Sequence, residues 1–257
     1  MSRLSVLSLF AGIGGFDIGL ERTGGFRTAA LCEVDEKCRR VLARSWIGVP
    51  IYEDVRELSA QHLSADGVTV DVICGGFPCQ DISLAGRGGG IDGTKSGLWG
   101  EYRRLIEETR PSWVIIENSP VLRSRGLDAV LGSLDALGYD AEWHCIPANA
   151  LGAPHRRDRL WIIAYPSGQR DGLPPLEIST GWDQSEHRAW WDTEPTVCRV
   201  VDELSAQPHR LAQLGNAVVP AIAFNIGQAI IRASAPKCPI CDEFGGHAWN
   251  CTLMVAA

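Results

Sequence analysis

The chain has 257 residues, 45% of them hydrophobic and 21% charged, with a formal net charge of -7. That length and composition fit one large globular domain with its own core and exclude a disordered or fibrous chain; no stretch of about 18 uninterrupted apolar residues occurs, so no membrane span is expected. The acidic balance argues mildly against a nucleic-acid partner, yet Arg123/Arg125 and Arg156/Arg157/Arg159 are bunched, which allows a positive cleft in an acidic body.

Leu4–Leu9 alternates apolar residues with Ser and predicts a first strand. Residues 10–15, Phe-Ala-Gly-Ile-Gly-Gly, then turn the chain into a helix over about residues 16–22. Glycine at such a turn lets backbone N–H groups and a helix N-terminus come close to a ligand. Residues 27–31 predict a second strand with Glu33 at its exit. An acid there either binds ribose hydroxyls or simply favours the start of the next helix, Glu36–Ser45. Residues 51–55 predict a short third strand carrying Asp54, a residue that otherwise caps loops.

A buried strand through Val70, Val72, Ile73 and Cys74 stops at Gly75 and Gly76, and Cys79 sits on the loop beyond. Ligands of open α/β sheets bind past the carboxyl ends of the strands, so a thiol here is placed for chemistry; the plain alternative is an inert loop or core cysteine. Residues 83–97 hold six glycines with Arg87 and Lys95 and read as a surface loop or a lid. A helix is expected over residues 96–109, with Leu98, Tyr102, Leu105 and Ile106 on one stripe. Residues 113–116 form the next buried strand with Glu117 at its exit, and Leu127, Val130, Leu131, Leu134 and Leu137 recur at helical spacing up to Gly138.

Strands around residues 139–146 and 160–164 bracket the arginine motif, where Arg157 and Arg159, two apart, are expected on one side and Arg156 on the other. Residues 1–165 thus read as the main α/β unit, with the strand-exit residues that chemistry or a ligand would use. Over residues 166–210 the pattern dissolves into Gly, Pro, Trp and charge, with Trp182, Trp190 and Trp191 as a small core or nucleic-acid contacts. Residues 211–235 return to the main unit, with a last helix from Pro220 to about residue 232. The repeated strand–helix order predicts an α/β fold with a doubly wound, mostly parallel sheet.

Nine cysteines scattered along the chain argue for reduced thiols and a cytoplasmic protein. Four metal-ligand residues crowd the tail, 236–257: Cys238, Cys241, His247 and Cys251. Their spacing, Cys-x2-Cys-x5-His-x3-Cys, is close to a zinc knuckle and suits one structural zinc; the alternative is a polar terminus with incidental cysteines.

The ordered set of motifs resembles the cytosine-C5 DNA methyltransferase family, whose fold is Rossmann-like. They are Ser5 to Gly19, the 71–80 stretch Asp-Val-Ile-Cys-Gly-Gly-Phe-Pro-Cys-Gln, Glu117-Asn118, the 152–159 stretch Gly-Ala-Pro-His-Arg-Arg-Asp-Arg, and the 215–218 stretch Gly-Asn-Ala-Val. The resemblance implies that S-adenosylmethionine is held by Phe10, Ala11, Gly12, Ile13, Gly14, Gly15, Glu33, Val34, Asp54, Val55, Pro78, Leu98, Asn216 and Val218. It makes Cys79 the nucleophile, Glu117 with Asn118 the acid at the base edge, Arg157 and Arg159 the donors to the base carbonyl and phosphate, and residues 166–210 a short target-recognition region. The implied substrate is a cytosine flipped out of DNA, with a cognate restriction nuclease as a partner; an RNA cytosine, or an idle nucleic-acid-binding module of the same fold, are the alternatives. Two departures stand near the base: Ser119 follows Asn118 where the family usually has Val, and His155 stands where Gln is usual.

Overall fold

The structure, a computed structural model, describes residues 2–78, 97–153, 155–170, 175–178 and 218–234. Seven strands form one sheet: β1 (Leu4–Leu9), β2 (Phe26–Cys32), β3 (Ile51–Tyr52), β4 (Val72–Gly75), β5 (Trp113–Asn118), β6 (Tyr139–Pro147) and β7 (Asp158–Pro166). Their order is β3-β2-β1-β4-β5-β7-β6. Every pairing from β3 to β5 is parallel, and β7 runs antiparallel to both its neighbours. The expected mostly parallel α/β sheet is therefore present, with its order reversing between β1 and β4, where ligands of such sheets bind.

Helices cover both faces: α1 (Gly15–Arg22), α2 (Glu36–Ser45), α3 (Ala60–Ala65), α4 (Leu98–Thr109), α5 (Leu122–Arg125), α6 (Leu127–Asp135) and α7 (Pro220–Ser234). The apolar strands are buried on both sides because each side-chain parity meets its own core. Leu7, Leu9, Ile73, Val114 and Ile116 face α4 and α6 through Tyr102, Leu105, Ile106, Val130 and Leu134. Val6, Val72, Ile115, Trp161 and Ile163 face α1 and α7 through Phe16, Leu20, Ile222 and Ile226. α1 lies so close to α7 that a methyl group on Gly19 would stand 2.3 Å from the Pro220 carbonyl oxygen.

The third strand is shorter than expected, Ile51–Tyr52 in place of residues 51–55. Asp54 ends it, because its carboxylate accepts the Arg56 backbone N–H at 2.9 Å and turns the chain. α3 and α5 had no expected counterpart; α3 is started by Ser59, whose hydroxyl accepts the His62 N–H at 3.3 Å. No described helix is long and apolar enough to cross a membrane.

Candidate active site

Two groups of side chains line the carboxyl edge of the sheet. The first is the turn from β1 into α1. Phe10, Gly12 and Gly14 have φ of 52°, 57° and 86°, a left-handed path that glycine takes without strain. The Gly12 N–H donates to Glu33 Oε2 at 2.7 Å and the Asp35 N–H to Glu33 Oε1 at 2.9 Å, so the acid at the end of β2 is fixed against the turn. A methyl group on Gly12 would meet nothing within 4 Å, whereas one on Gly14 would stand 2.3 Å from the Trp46 ring and one on Gly15 2.4 Å from the Val218 carbonyl oxygen. The turn thus opens on one side and rests on Trp46 and Val218 on the other.

The remaining expected cofactor residues divide. Ala11 and Ile13 are half-buried, Ala11 against the cluster of Leu31, Leu42 and Trp46, and Val34 is 71% exposed beside Glu33. Asp54 is engaged by the Arg56 guanidinium, which holds its carboxyl down at about 2. The Val55 side chain is buried in the core, which leaves only its backbone for a ligand, and its carbonyl already accepts from Arg104 at 3.0 Å. Leu98 is half-buried and Pro78 exposed. Asn216 lies outside the described residues.

The second group surrounds Glu117. Only 8% exposed, Glu117 accepts from Arg159 Nε at 2.8 Å. The register explains the pair: Glu117 opposes Trp161 across β5 and β7, so Arg159, two residues before Trp161, emerges on the same face. Burial raises the Glu117 pKa, and the charges of Arg159 and Arg157 oppose that rise. Arg157 precedes β7 with φ of 21°, so strand alternation does not by itself align it with Arg159; it nevertheless lies within electrostatic reach of both Glu117 and Arg159, and burial lowers its pKa. Arg156 is exposed and pairs with Asp158 at 3.2 Å, turned away as expected.

Asn118 plays a different part from Glu117. Its Nδ2 donates to the Phe77 carbonyl at 3.0 Å and its Oδ1 accepts the Ser119 N–H at 2.8 Å. The residue two places before Cys79 is thereby tied to the end of β5, and Cys79 itself lies outside the described residues. Gly76 completes the corner, since a methyl group there would stand 2.7 Å from Glu117 Oε2. An aromatic row joins the two groups: Phe77 to Trp99 at 5.2 Å, Trp99 to Tyr102 at 5.6 Å, and Tyr102 to Phe10 at 6.4 Å between ring centres.

Three residues of this edge were given no site role from the sequence: Gly76 and Asp17, although both lie within motif stretches, and Trp46, which lies outside them. Asp17 stands in the first turn of a helix whose neighbouring strands carry Ser8 and Thr28 at buried positions. Among the described residues no group of three His, Cys, Asp or Glu side chains could hold a metal; Cys238, Cys241, His247 and Cys251 lie outside them.

A ligand-open glycine turn, an acid at the end of β2 and a buried carboxyl at the end of β5, on this strand order, define a Rossmann-like methyltransferase fold. The solved structure of the Entamoeba histolytica methyltransferase EhMeth shares that fold, with a TM-score of 0.54 and 17% identity over 70% of this chain and 56% of that one. The family model described as C-5 cytosine-specific DNA methylase matches residues 4–196, and the chain belongs to that family. The type II methyltransferase M2.BsuMI of Bacillus subtilis (strain 168) is 37% identical over 169 residues, 63% of this chain and 42% of the relative. The type II methyltransferase M.CviJI of Paramecium bursaria Chlorella virus IL3A is 32% identical over 216 residues, 83% of this chain and 56% of the relative. The chain spans about half the length of these curated relatives. The family implies S-adenosylmethionine as methyl donor.

Proposed function

We propose that the protein methylates C5 of a cytosine extruded from DNA, with Cys79 as covalent nucleophile. The observation that carries this reading is Glu117: a nearly buried carboxyl, with its pKa raised by burial, at the strand end beside the loop that leads to Cys79. Cytosine C5 is a poor nucleophile, and covalent catalysis divides the hard step. The Cys79 thiolate adds to C6 and the ring electrons move toward C5, while Glu117 gives a proton or a strong hydrogen bond to N3. The enamine-like C5 would then take the methyl group of the sulfonium donor, whose sulfur leaves as a neutral thioether; the C5 proton passes to solvent water, N3 returns its proton to Glu117, and expulsion of the thiolate restores the aromatic ring. Arg159 orients Glu117 and, with Arg157, offers planar donors to the base carbonyl or a flanking phosphate. Asn118 keeps the Phe77 backbone, two residues before Cys79 in the chain, against this corner.

The residues at the β1–α1 turn fit S-adenosylmethionine. Gly12 faces open space, with Ala11, Ile13 and Val34 as expected neighbours of the ligand, and Glu33 is already oriented by two backbone N–H groups. Gly14, Gly15 and Val218 support the turn from behind, with Phe10, Asp54, Val55, Pro78, Leu98 and Asn216 as further contacts. When bound, the cofactor supplies an electrophilic methyl group. Residues 166–210 serve as a short recognition region, and the modification answers a cognate restriction nuclease in the cytoplasm. We extend the reading to the tail, where Cys238, Cys241, His247 and Cys251 hold one structural zinc. Metal analysis of chelator-free protein, with and without mutation of Cys238 and Cys241, tests that part: equal zinc in both overturns it.

The deciding experiment incubates the full chain with methyl-labelled S-adenosylmethionine and either duplex DNA or RNA. Label at C5 of DNA cytosine is expected. Label in RNA alone changes the substrate, and label in neither, with folded protein, overturns the enzyme reading.

A further inference from the structure

The mechanism leaves one buried acid unused. Asp17, in the first turn of α1, is fully buried and accepts two hydroxyl donors from two different strands. Ser8 Oγ of β1 donates to Oδ2 at 2.9 Å, and Thr28 Oγ1 of β2 donates to Oδ1 at 3.0 Å. The carboxyl therefore staples the helix start to both strands that flank the glycine turn.

Register shows how β2 accommodates this. Val6 pairs with Thr28 but Leu7 pairs with Ala30, so the pairing slips by one residue beside Thr28. At that irregularity the Thr28 N–H donates to Glu21 Oε1 at 2.9 Å, one helical turn beyond Asp17. Glu21 Oε2 in turn accepts from Trp46 Nε1 at 3.2 Å, and the Trp46 ring is the surface on which Gly14 rests. A continuous path thus runs from Asp17 through Thr28, Glu21 and Trp46 to the glycine turn.

We infer that Asp17, Glu21 and Trp46 form a bracket behind the glycine turn, and that Asp17 is a positioning residue whose ionised form holds the turn in its cofactor-binding shape. The inference rests on the cofactor reading above. Among the described residues none gives the charge of Asp17 a cation. On its own helix Glu21 disfavours a second negative charge, and on β4 it faces the Cys74 thiol, whose pKa the Asp17 charge and burial raise. β1 and β2 present hydroxyls, Arg27 of β2 is turned to Ser5 Oγ, and Arg232, the one charged residue of α7, donates to the Glu177 carbonyl. Burial accordingly raises the Asp17 pKa from 3.8 to about 6, against the pull of the two hydroxyl bonds. Once protonated, the carboxyl must itself donate, and one of the two strand hydroxyls loses its acceptor.

Linkage then has a definite sign. A ligand that selects the braced turn selects ionised Asp17, so its affinity falls as pH drops through about 6 and its binding releases a proton. Folding runs the other way. A carboxyl whose pKa is raised on folding contributes stability in full below its ordinary value of 3.8, and that contribution is lost as pH rises through about 6. Asp17 thus weakens the fold at neutral pH while favouring the ligand, a split that mere packing would not produce.

The test is calorimetric titration of the full chain with S-adenosylmethionine from about pH 5 to 7, a window in which an α-amino group stays protonated. Wild-type affinity is expected to fall roughly tenfold across the window, while Asp17→Asn binds about tenfold more weakly at pH 7 with a flat profile and an equal or higher melting temperature. Ser8→Ala, which keeps the acid but removes a donor, should move the midpoint upward. Parallel profiles for wild type and Asp17→Asn, or loss of affinity only in step with loss of stability, overturn the inference while the cofactor reading stands. No binding at any pH overturns both.

Discussion

The turn after β1 and the corner at the end of β5 share one edge of one sheet, yet the first is shaped by backbone and the second by buried charge. At the turn, left-handed Gly12 and Gly14 and the N–H groups of Gly12 and Asp35 set the geometry, and Glu33 is held by neutral donors. At the corner Arg159 pairs with Glu117, both arginines offset the cost of burying that carboxylate, and Glu117 offsets the cost of burying Arg157 against the repulsion of Arg159. A backbone-built site resists side-chain change but not added bulk. A charge-built site tolerates little change in its few charged groups, because removing one leaves its partner buried and uncompensated.

The largest expected effect tests the corner. Cys79→Ser should abolish methyl transfer yet leave cofactor binding intact, since a serine hydroxyl is far less ionised than a thiol near neutral pH. Near-normal turnover would remove the covalent step. Next comes Glu117→Gln, expected to slow single turnover by roughly two to four decades. Because burial raises the Glu117 pKa, protonated Glu117 persists above the ordinary carboxylate range and is lost as pH rises, so the wild-type rate should carry an alkaline limb that Glu117→Gln lacks. An identical limb in both would assign it elsewhere.

The turn is tested by Gly14→Ala, where φ of 86° and a 2.3 Å approach to Trp46 both penalise a methyl group. Cofactor affinity should fall by about one to two decades, with stability reduced by about 1–2 kcal/mol, measured by titration and chemical denaturation. Unchanged affinity would mean that Trp46 yields and the turn is not braced from behind. The smallest effect joins the two regions: Gly76→Ala adds a methyl group 2.7 Å from Glu117 Oε2, an atom whose carboxyl Arg159 restrains. Turnover should drop about tenfold with unaltered cofactor affinity, the signature of a displaced acid. Equal losses in both would show that the corner and the turn are coupled.

Much of this edge was legible in the chain because it is local. Apolar runs marked β1, β2, β4 and β5, with glycines stopping β1 and β4, and Glu33 and Glu117 were found at the strand exits where they stand. Glu117 stands there as a strand-end carboxylate paired to Arg159. What escaped was non-local. The reversal of β7, the support of Gly14 by Trp46 and the double staple of Asp17 depend on contacts between residues far apart in the chain, and no periodicity reports them. β3 was overextended because the run from Ile51 to Val55 begins and ends on β-branched residues, while Asp54 binds its own turn.

The reversed β7 makes the site sensitive to counting. Running antiparallel to β5, it presents its first residues to the exit of β5, so Arg159 enters the corner ahead of the strand core. Side chains alternate along a strand, so one residue inserted between Arg159 and Trp161 would send the guanidinium to the opposite face while leaving the apolar pairs from Trp161 to Ala164 unmoved. Such a variant would fold and lose its charge pair. Two inserted residues would restore the face but overshoot the reach. β7 is thus a ruler with a single usable mark, whereas the segment before it lies outside the ladder and can change length without moving that mark.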